Sequence, residues 1–298
     1  MSEPQGTVRR AAPGEARRRR TNGRARRQQA WRLGLLYGAV ALVIVAIVAI
    51  LILDQKSSGT PSIASVATPQ ASAISTAFAP VAEQAAVVRE VTTINPAVIA
   101  AVGTGGLSTP LKALTTAPLT VNGKPELLYV GAEYCPYCAV ERWSLINALA
   151  RFGTFSNLSF SRSAADDGNI ATFTFVGSQY TSSYLGFVPV ELADRAGNTL
   201  QTATSQQAQL VDTYTNGGIP FVDVAGRYWG ASGFEPTVLS GLDWPAIAGA
   251  LTNAHSPTTK AIVGNANYLT AAICIATHDQ PGSVCKAPAI HAMEGKLS

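Results

Sequence analysis

The sequence predicts an α/β fold, strands and helices mixed around one core behind an apolar N-terminal span, and three observations lead there. A dithiol, Cys135-Pro136-Tyr137-Cys138, follows the short apolar run Leu127 to Gly131 and precedes a helix-like segment. Gly218-Ile219-Pro220 introduces two further apolar runs, Phe221 to Val224 and Arg227 to Gly230, joined by Ala225-Gly226 in the manner of a hairpin. Ahead of both, the 21 residues from Leu33 to Leu53 carry no charge.

Length alone allows two domains, but composition divides the 298 residues into a basic disordered tail (1–32), an apolar span (33–53), a flexible linker (54–80), one folded unit (81–288) and a disordered C-terminal tail (289–298). As a helix the span measures about 31 Å, close to the hydrocarbon thickness of a bilayer. Ten arginines precede Leu33 against only Glu3 and Glu15, whereas the residues after Leu53 carry twelve basic and sixteen acidic side chains, so the formal charge of +4 hides an asymmetry between the ends. Arg24, Arg26, Arg27 and Arg32 crowd the N-terminal side of the span, which places the tail in the cytoplasm and the folded unit outside the cell membrane. A cleaved signal peptide is the competing reading, with a small-residue site at Ala64-Ser65-Val66-Ala67, but the apolar run is longer than such a peptide needs. The arginine run Arg17 to Arg20 is read as an orientation signal and anionic-lipid contact, not as a nucleic-acid arm.

Residues 57–80 are rich in Ser, Thr, Ala and Pro with few large apolar side chains, a composition that cannot offset its ordering entropy. Val81, Ala85, Val88 and Val91 recur at helical spacing until Pro96 interrupts them. Gly103-Thr104-Gly105-Gly106 lacks a preceding strand and a following helix, so it reads as a loop and not as a phosphate cradle. Asn122-Gly123 is a hairpin turn leading into the strand that ends at Gly131. After the dithiol, Ala139, Trp143, Ile146 and Ala150 mark one helical face, with Gly153 as a stop. Further strands are expected at Leu158 to Ser161, Ala171 to Val176 and Phe187 to Leu192. Asp243 caps a helix with Pro245 in its first turn, and Asn265 to Thr277 form a last helix carrying Cys274.

Two thiols separated by two residues suit disulfide exchange, one attacking from an exposed position and the other displacing the mixed disulfide. Pro136 fits the first helical turn, so Cys135 falls at the N-cap, where unpaired amides and the helix dipole favour a thiolate. Cys135 is therefore the candidate nucleophile and Cys138 the resolver. Glu133 and Glu141 oppose that thiolate and Arg142 supports it, which predicts a moderate depression of the thiol pKa. A static disulfide or half of a zinc site uses the same spacing. Pro220 directly before a strand suits a tight turn, and in a dithiol context a cis bond is expected there. That bond would turn the Ile219 backbone toward the dithiol, to pair with an extended substrate segment.

Cys135 to Cys138 with its strand and helix, and Ile219-Pro220 with its hairpin, resemble the thioredoxin superfamily. More narrowly, Tyr129 to Ala139 followed by Glu141-Arg142-Trp143, with Arg151 to Phe155, Gly218 to Phe221 and Asn265 to Tyr268, resembles a membrane-anchored thioredoxin-like family of actinobacteria and some archaea, known as a domain of unknown function. The resemblance implies a thioredoxin-like central mixed sheet flanked by helices, with an insertion between the dithiol helix and the cis-proline strand. It implies catalytic roles for Cys135, Cys138 and Pro220, and substrate contact at Ile219 and Tyr137. Where thioredoxins carry a buried acid this chain has Tyr129, so Glu133 is the candidate for proton transfer.

Cys274 and Cys285 can pair across a short loop in an oxidising compartment, as a structural staple or, less simply, as an electron relay. With His278 they make a poor metal trio, and no metal or cofactor is expected. His255 and His291 read as solvated, and Trp143, Trp229 and Trp244 as core or groove residues. The expected activity is thiol-disulfide exchange on exported proteins, with the bilayer, a membrane redox partner and substrate thiols or disulfides as partners. The alternative is a non-catalytic envelope binding module with structural disulfides.

Overall fold

A computed structural model describes residues 81–108 and 110–297. The tail, the apolar span and the linker expected at 1–32, 33–53 and 54–80 lie outside the described residues. Among the described residues no single helix is long and apolar enough to cross a membrane.

The described chain opens with α1 (Val81–Thr92) and α2 (Pro96–Val102). Pro96 does more than interrupt: it occupies the first turn of α2, and the Asn95 side chain caps that helix by accepting from the Ala97 amide at 2.8 Å. A short edge strand β1 (Leu111–Ala113) follows, then β2 (Thr120–Val121) and β3 (Lys124–Gly131). Asn122 and Gly123 both take positive φ (52° and 73°), which is the backbone a two-residue hairpin requires.

The dithiol helix is α3 (Pro136–Leu149). Its apolar spacing predicts one buried face, yet every residue from Cys138 to Leu149 is buried, so its polar residues Glu141, Arg142, Ser144 and Asn147 must find partners inside. Between this helix and Pro220 come β4 (Gly153–Ser156), β5 (Ser159–Arg162), β6 (Ala171–Thr174), β7 (Gln179–Ser182), β8 (Gly186–Glu191) and α4 (Ser205–Thr215). β4 pairs with β7 and β5 with β6 as two small antiparallel sheets, while β8 joins the main sheet. Trp143 ties β6 to α3, donating to the Ala171 carbonyl at 2.9 Å and meeting Phe173 edge-on.

β9 (Phe221–Val224) and β10 (Tyr228–Gly230) form the expected hairpin. A 3₁₀ turn (Pro236–Leu239) leads to α5 (Trp244–Ala250), capped by Asp243 as expected. The last long helix, α6 (Pro257–Ala276), begins eight residues before the expected Asn265, because Pro257 opens it and Ala261, Ile262 and Val263 extend its buried surface. Two short helices close the chain, α7 (Gly282–Cys285) and α8 (Pro288–Leu297). The disordered tail expected at 289–298 is thus corrected: Ile290, Met293 and Leu297 share one buried face of α8, and burying that face orders the segment.

The main sheet is mixed. β3 lies between β8, its parallel neighbour, and β9, antiparallel to it, and the sheet continues antiparallel through β10 to β1, with β2 pairing the first residues of β3. Alternation along β3 separates the two faces. Leu127 and Tyr129 pack into the larger core with α3 and α6, whereas Leu128 and Val130 join Val190, Phe221 and Val211 of α4. Helices therefore cover both sides of a central sheet.

Candidate active site at Cys135 and Cys138

β3 ends at Gly131 in the middle of the sheet, and Ala132 to Tyr134 carry the chain from its end to the start of α3. Cys135 is the N-cap of α3, in extended conformation, and its sulfur accepts from the Cys138 amide at 3.2 Å, the contact a serine or aspartate cap would make. Pro136 fills the first helical position, where a missing N–H is no loss. A hydrogen bond with the Cys138 thiol, followed by the Cys138 amide, the Arg142 charge and the Tyr137 amide, lowers the Cys135 thiol pKa against the opposing effect of burial. Burial dominates at Cys138 and holds its thiol well above the usual range.

Exchange chemistry calls for an exposed attacking cysteine. Cys135 is 6% exposed and Cys138 is 0% exposed, so both cysteines are buried and the exposed position expected of Cys135 is not seen. Beside Cys135 stands Ile219, whose carbonyl oxygen lies 3.7 Å from the Cys135 sulfur. Ile219 and Pro220 are joined by a cis peptide bond at the entrance to β9, Pro220 buried and Ile219 half-buried. Tyr137, in the first turn of α3, is 42% exposed, its hydroxyl donating to Glu235 at 2.8 Å. Tyr134 is also exposed, and its carbonyl accepts from the Ala164 amide at 2.8 Å, so the loop between β5 and β6 is fastened directly beside the dithiol. An open groove of about 750 Å³ beside Tyr134 is lined also by Asp166, Asp167 and Arg195.

The flanking charges are placed differently from the simple expectation. Glu141 turns into the interior, where Asn265 donates to its carboxyl at 2.7 Å and the Gly233 amide at 3.4 Å, and burial pushes its pKa up to about 8. It is largely uncharged at neutral pH and does not oppose a thiolate. Glu133 is half-buried and held through its backbone amide, which donates to the Ala193 carbonyl at 2.9 Å.

The buried groups gathered behind the dithiol are Tyr129, Arg142 and Glu191. Arg142 makes a two-point ion pair with Glu191, Nε to Oε1 at 2.8 Å and Nη2 to Oε2 at 2.7 Å, and Nη2 also donates to the Ala132 carbonyl at 2.8 Å. Arg142 and Glu191 are both fully buried. Sequence reasoning named Arg142 but missed Glu191, because nothing local in β8 marks one glutamate as inward-facing; Glu235 was missed for the same reason.

Cys274 and Cys285 form a disulfide, S–S 2.01 Å and Cα–Cα 5.5 Å, that fastens α7 to the end of α6. Among the described residues no group of three or more His, Cys, Asp or Glu side chains is arranged to hold a metal ion.

Residues 111–275, more than half of the chain, match the model of a family described as "Domain of unknown function (DUF929)". No curated protein and no solved structure matches the chain.

Proposed function

We propose that this chain, which belongs to the DUF929 family, is a membrane-anchored thiol-disulfide oxidoreductase of thioredoxin-like fold that acts outside the cytoplasmic membrane on the disulfides of exported proteins. The observation that carries the reading is the Cys135 sulfur at the cap of α3, with Cys138 one turn behind it and the Ile219 carbonyl 3.7 Å in front. The strand arrangement around it, parallel β8 beside β3 and antiparallel β9 and β10 on the other side, supports a thioredoxin-like sheet. The uncharged run Leu33 to Leu53 and the arginines before it support the anchor and its orientation.

In this reaction the Cys135 thiolate attacks one sulfur of a substrate disulfide. A mixed disulfide forms, and the departing substrate thiolate takes a proton from water. Cys138 then loses its proton and attacks the Cys135 sulfur, closing the Cys135–Cys138 disulfide and releasing the second substrate thiol. Two electrons pass from the cysteine pair to the substrate; run backwards, the same steps oxidise a substrate dithiol. Ile219 offers a backbone carbonyl to an extended substrate segment, and Tyr137 an exposed aromatic face.

The test uses the full chain in detergent. Cys135→Ser should abolish insulin reduction and oxidative refolding, and Cys138→Ser should accumulate mixed disulfides with substrate. Iodoacetamide should label Cys135 before Cys138, with an apparent pKa below that of an ordinary thiol. Undiminished turnover in the Cys135 variant would end the assignment. The 6% exposure of Cys135 favours one second reading, a binding module whose cysteine pair never exchanges; thiol trapping in cells separates the two, since such a pair would keep one redox state under every growth condition.

A further inference from the structure

Behind Cys138 lies a set of buried polar groups larger than packing alone accounts for. Cys138 and Arg142 are one turn apart on α3, and both are fully buried. Their meeting point is the end of β3, where the Ala132 carbonyl accepts from Arg142 Nη2. Gly131 leaves this point open: a side-chain carbon there would collide with the Tyr129 hydroxyl and stand 3.1 Å from the Cys138 sulfur. The guanidinium of Arg142 sits 5.8 Å from the centre of the Tyr129 ring.

Two donors in this space have no hydrogen-bond partner, Arg142 Nη1 and the Tyr129 hydroxyl. A buried donor left unpaired is costly, and Glu191, already engaged at both oxygens by Nε and Nη2, does not reach Nη1. The anion that arises beside them is a thiolate of the cysteine pair. Arg142 is the opposite charge acting on both sulfurs, lowering the thiol pKa at each, and at this depth little solvent screens it.

Resting on the exchange reaction proposed above, we infer that Arg142, held by Glu191 and assisted by the Tyr129 hydroxyl, is a positioning residue that stabilises negative charge on the Cys135–Cys138 pair and so makes it an oxidant of substrate dithiols. When a substrate thiolate attacks Cys135, the Cys135–Cys138 bond breaks and its electron pair leaves on the Cys138 sulfur, where the uncommitted donors meet it. The second substrate thiol then gives its proton to the Cys138 sulfur and attacks the mixed disulfide, releasing Cys135 as a thiolate, the substrate having lost two electrons to the pair. Whatever favours the reduced, charged form raises the reduction potential of the couple.

The experiment equilibrates the full chain in detergent with glutathione and glutathione disulfide and reads the dithiol fraction. Arg142→Met/Glu191→Leu removes the cation together with its counter-charge and leaves no unpaired ion. It should shift the equilibrium at least tenfold toward the disulfide, about 30 mV in potential. Glu191→Gln keeps the cation and removes its compensation, so it should shift the equilibrium the other way, a sign reversal that a merely structural ion pair does not produce. Should the double variant fail to hold its fold, Tyr129→Phe carries the test, since it deletes a hydroxyl that has no partner: a potential below wild type upholds the inference, and one equal to wild type overturns it. Folded charge variants that match the wild type overturn it alone, whereas a wild type that never exchanges with glutathione overturns the oxidoreductase reading as well.

Discussion

The Asn265 side-chain amide donates at 2.7 Å to the carboxyl of Glu141, joining α3 to α6 across 124 residues of sequence. Burial there pushes the Glu141 pKa from 4.5 to about 8, and burial likewise raises Asp223 from 3.8 to about 6. Folded values above unfolded ones mean that the folded chain holds protons the unfolded chain has released, so these groups lower stability as pH rises. The Asp223 contribution develops as pH climbs from about 4 to about 6, and that of Glu141 continues to about 8. Glu141→Gln keeps an acceptor for Asn265 but cannot ionise. Its denaturant midpoint should change less than that of wild type between pH 6 and 8, and equal slopes in the two proteins would contradict the buried, proton-holding carboxyl.

The disulfide between Cys274 and Cys285 closes a loop with a sequence separation of 11. On the chain-entropy account, Cys274→Ala/Cys285→Ala should cost about 2 to 3 kcal/mol of unfolding free energy. As a staple at the far end of α6, it should leave insulin turnover per folded molecule unchanged. Loss of turnover at full folding would make the pair a relay instead.

Gly131 stands where a side chain would press against the Tyr129 hydroxyl and the Cys138 sulfur. Gly131→Ala should therefore destabilise the fold by about 1 to 3 kcal/mol through overpacking. It should also slow closure of the Cys135–Cys138 disulfide, because the added carbon displaces the Tyr129 hydroxyl and crowds the Cys138 sulfur at 3.1 Å. Wild-type closure rates measured by stopped-flow tryptophan fluorescence would show that the Cys138 sulfur tolerates the extra carbon.

Much of the site was legible because its signals are local. A cysteine directly before proline and three residues before another cysteine, after an apolar run, specifies a capped helix on the end of a strand. Asn122-Gly123 and Asp243 announced a turn and a cap by the same short-range chemistry. The capping box of α4 was equally readable and was missed: Thr204 accepts from the Gln207 amide, and the Gln207 side chain accepts from the Thr204 amide at 2.8 Å. The edge strand β1 carries too few residues, three, to show any period.

By itself the sequence determined the α/β order of elements, the place of the two thiols at a helix start and the cysteine pair able to close at the C-terminal end, since each depends on residues a few positions apart. Only the tertiary structure decided that Arg142 meets Glu191 across 49 residues, that Glu141 faces Asn265, that Cys135 is almost covered and that 288–297 docks as a helix. Periodicity tells that a face is apolar or that a charge interrupts it; which surface comes to cover that face, and which distant ion compensates that charge, depends on how the layers close over one another.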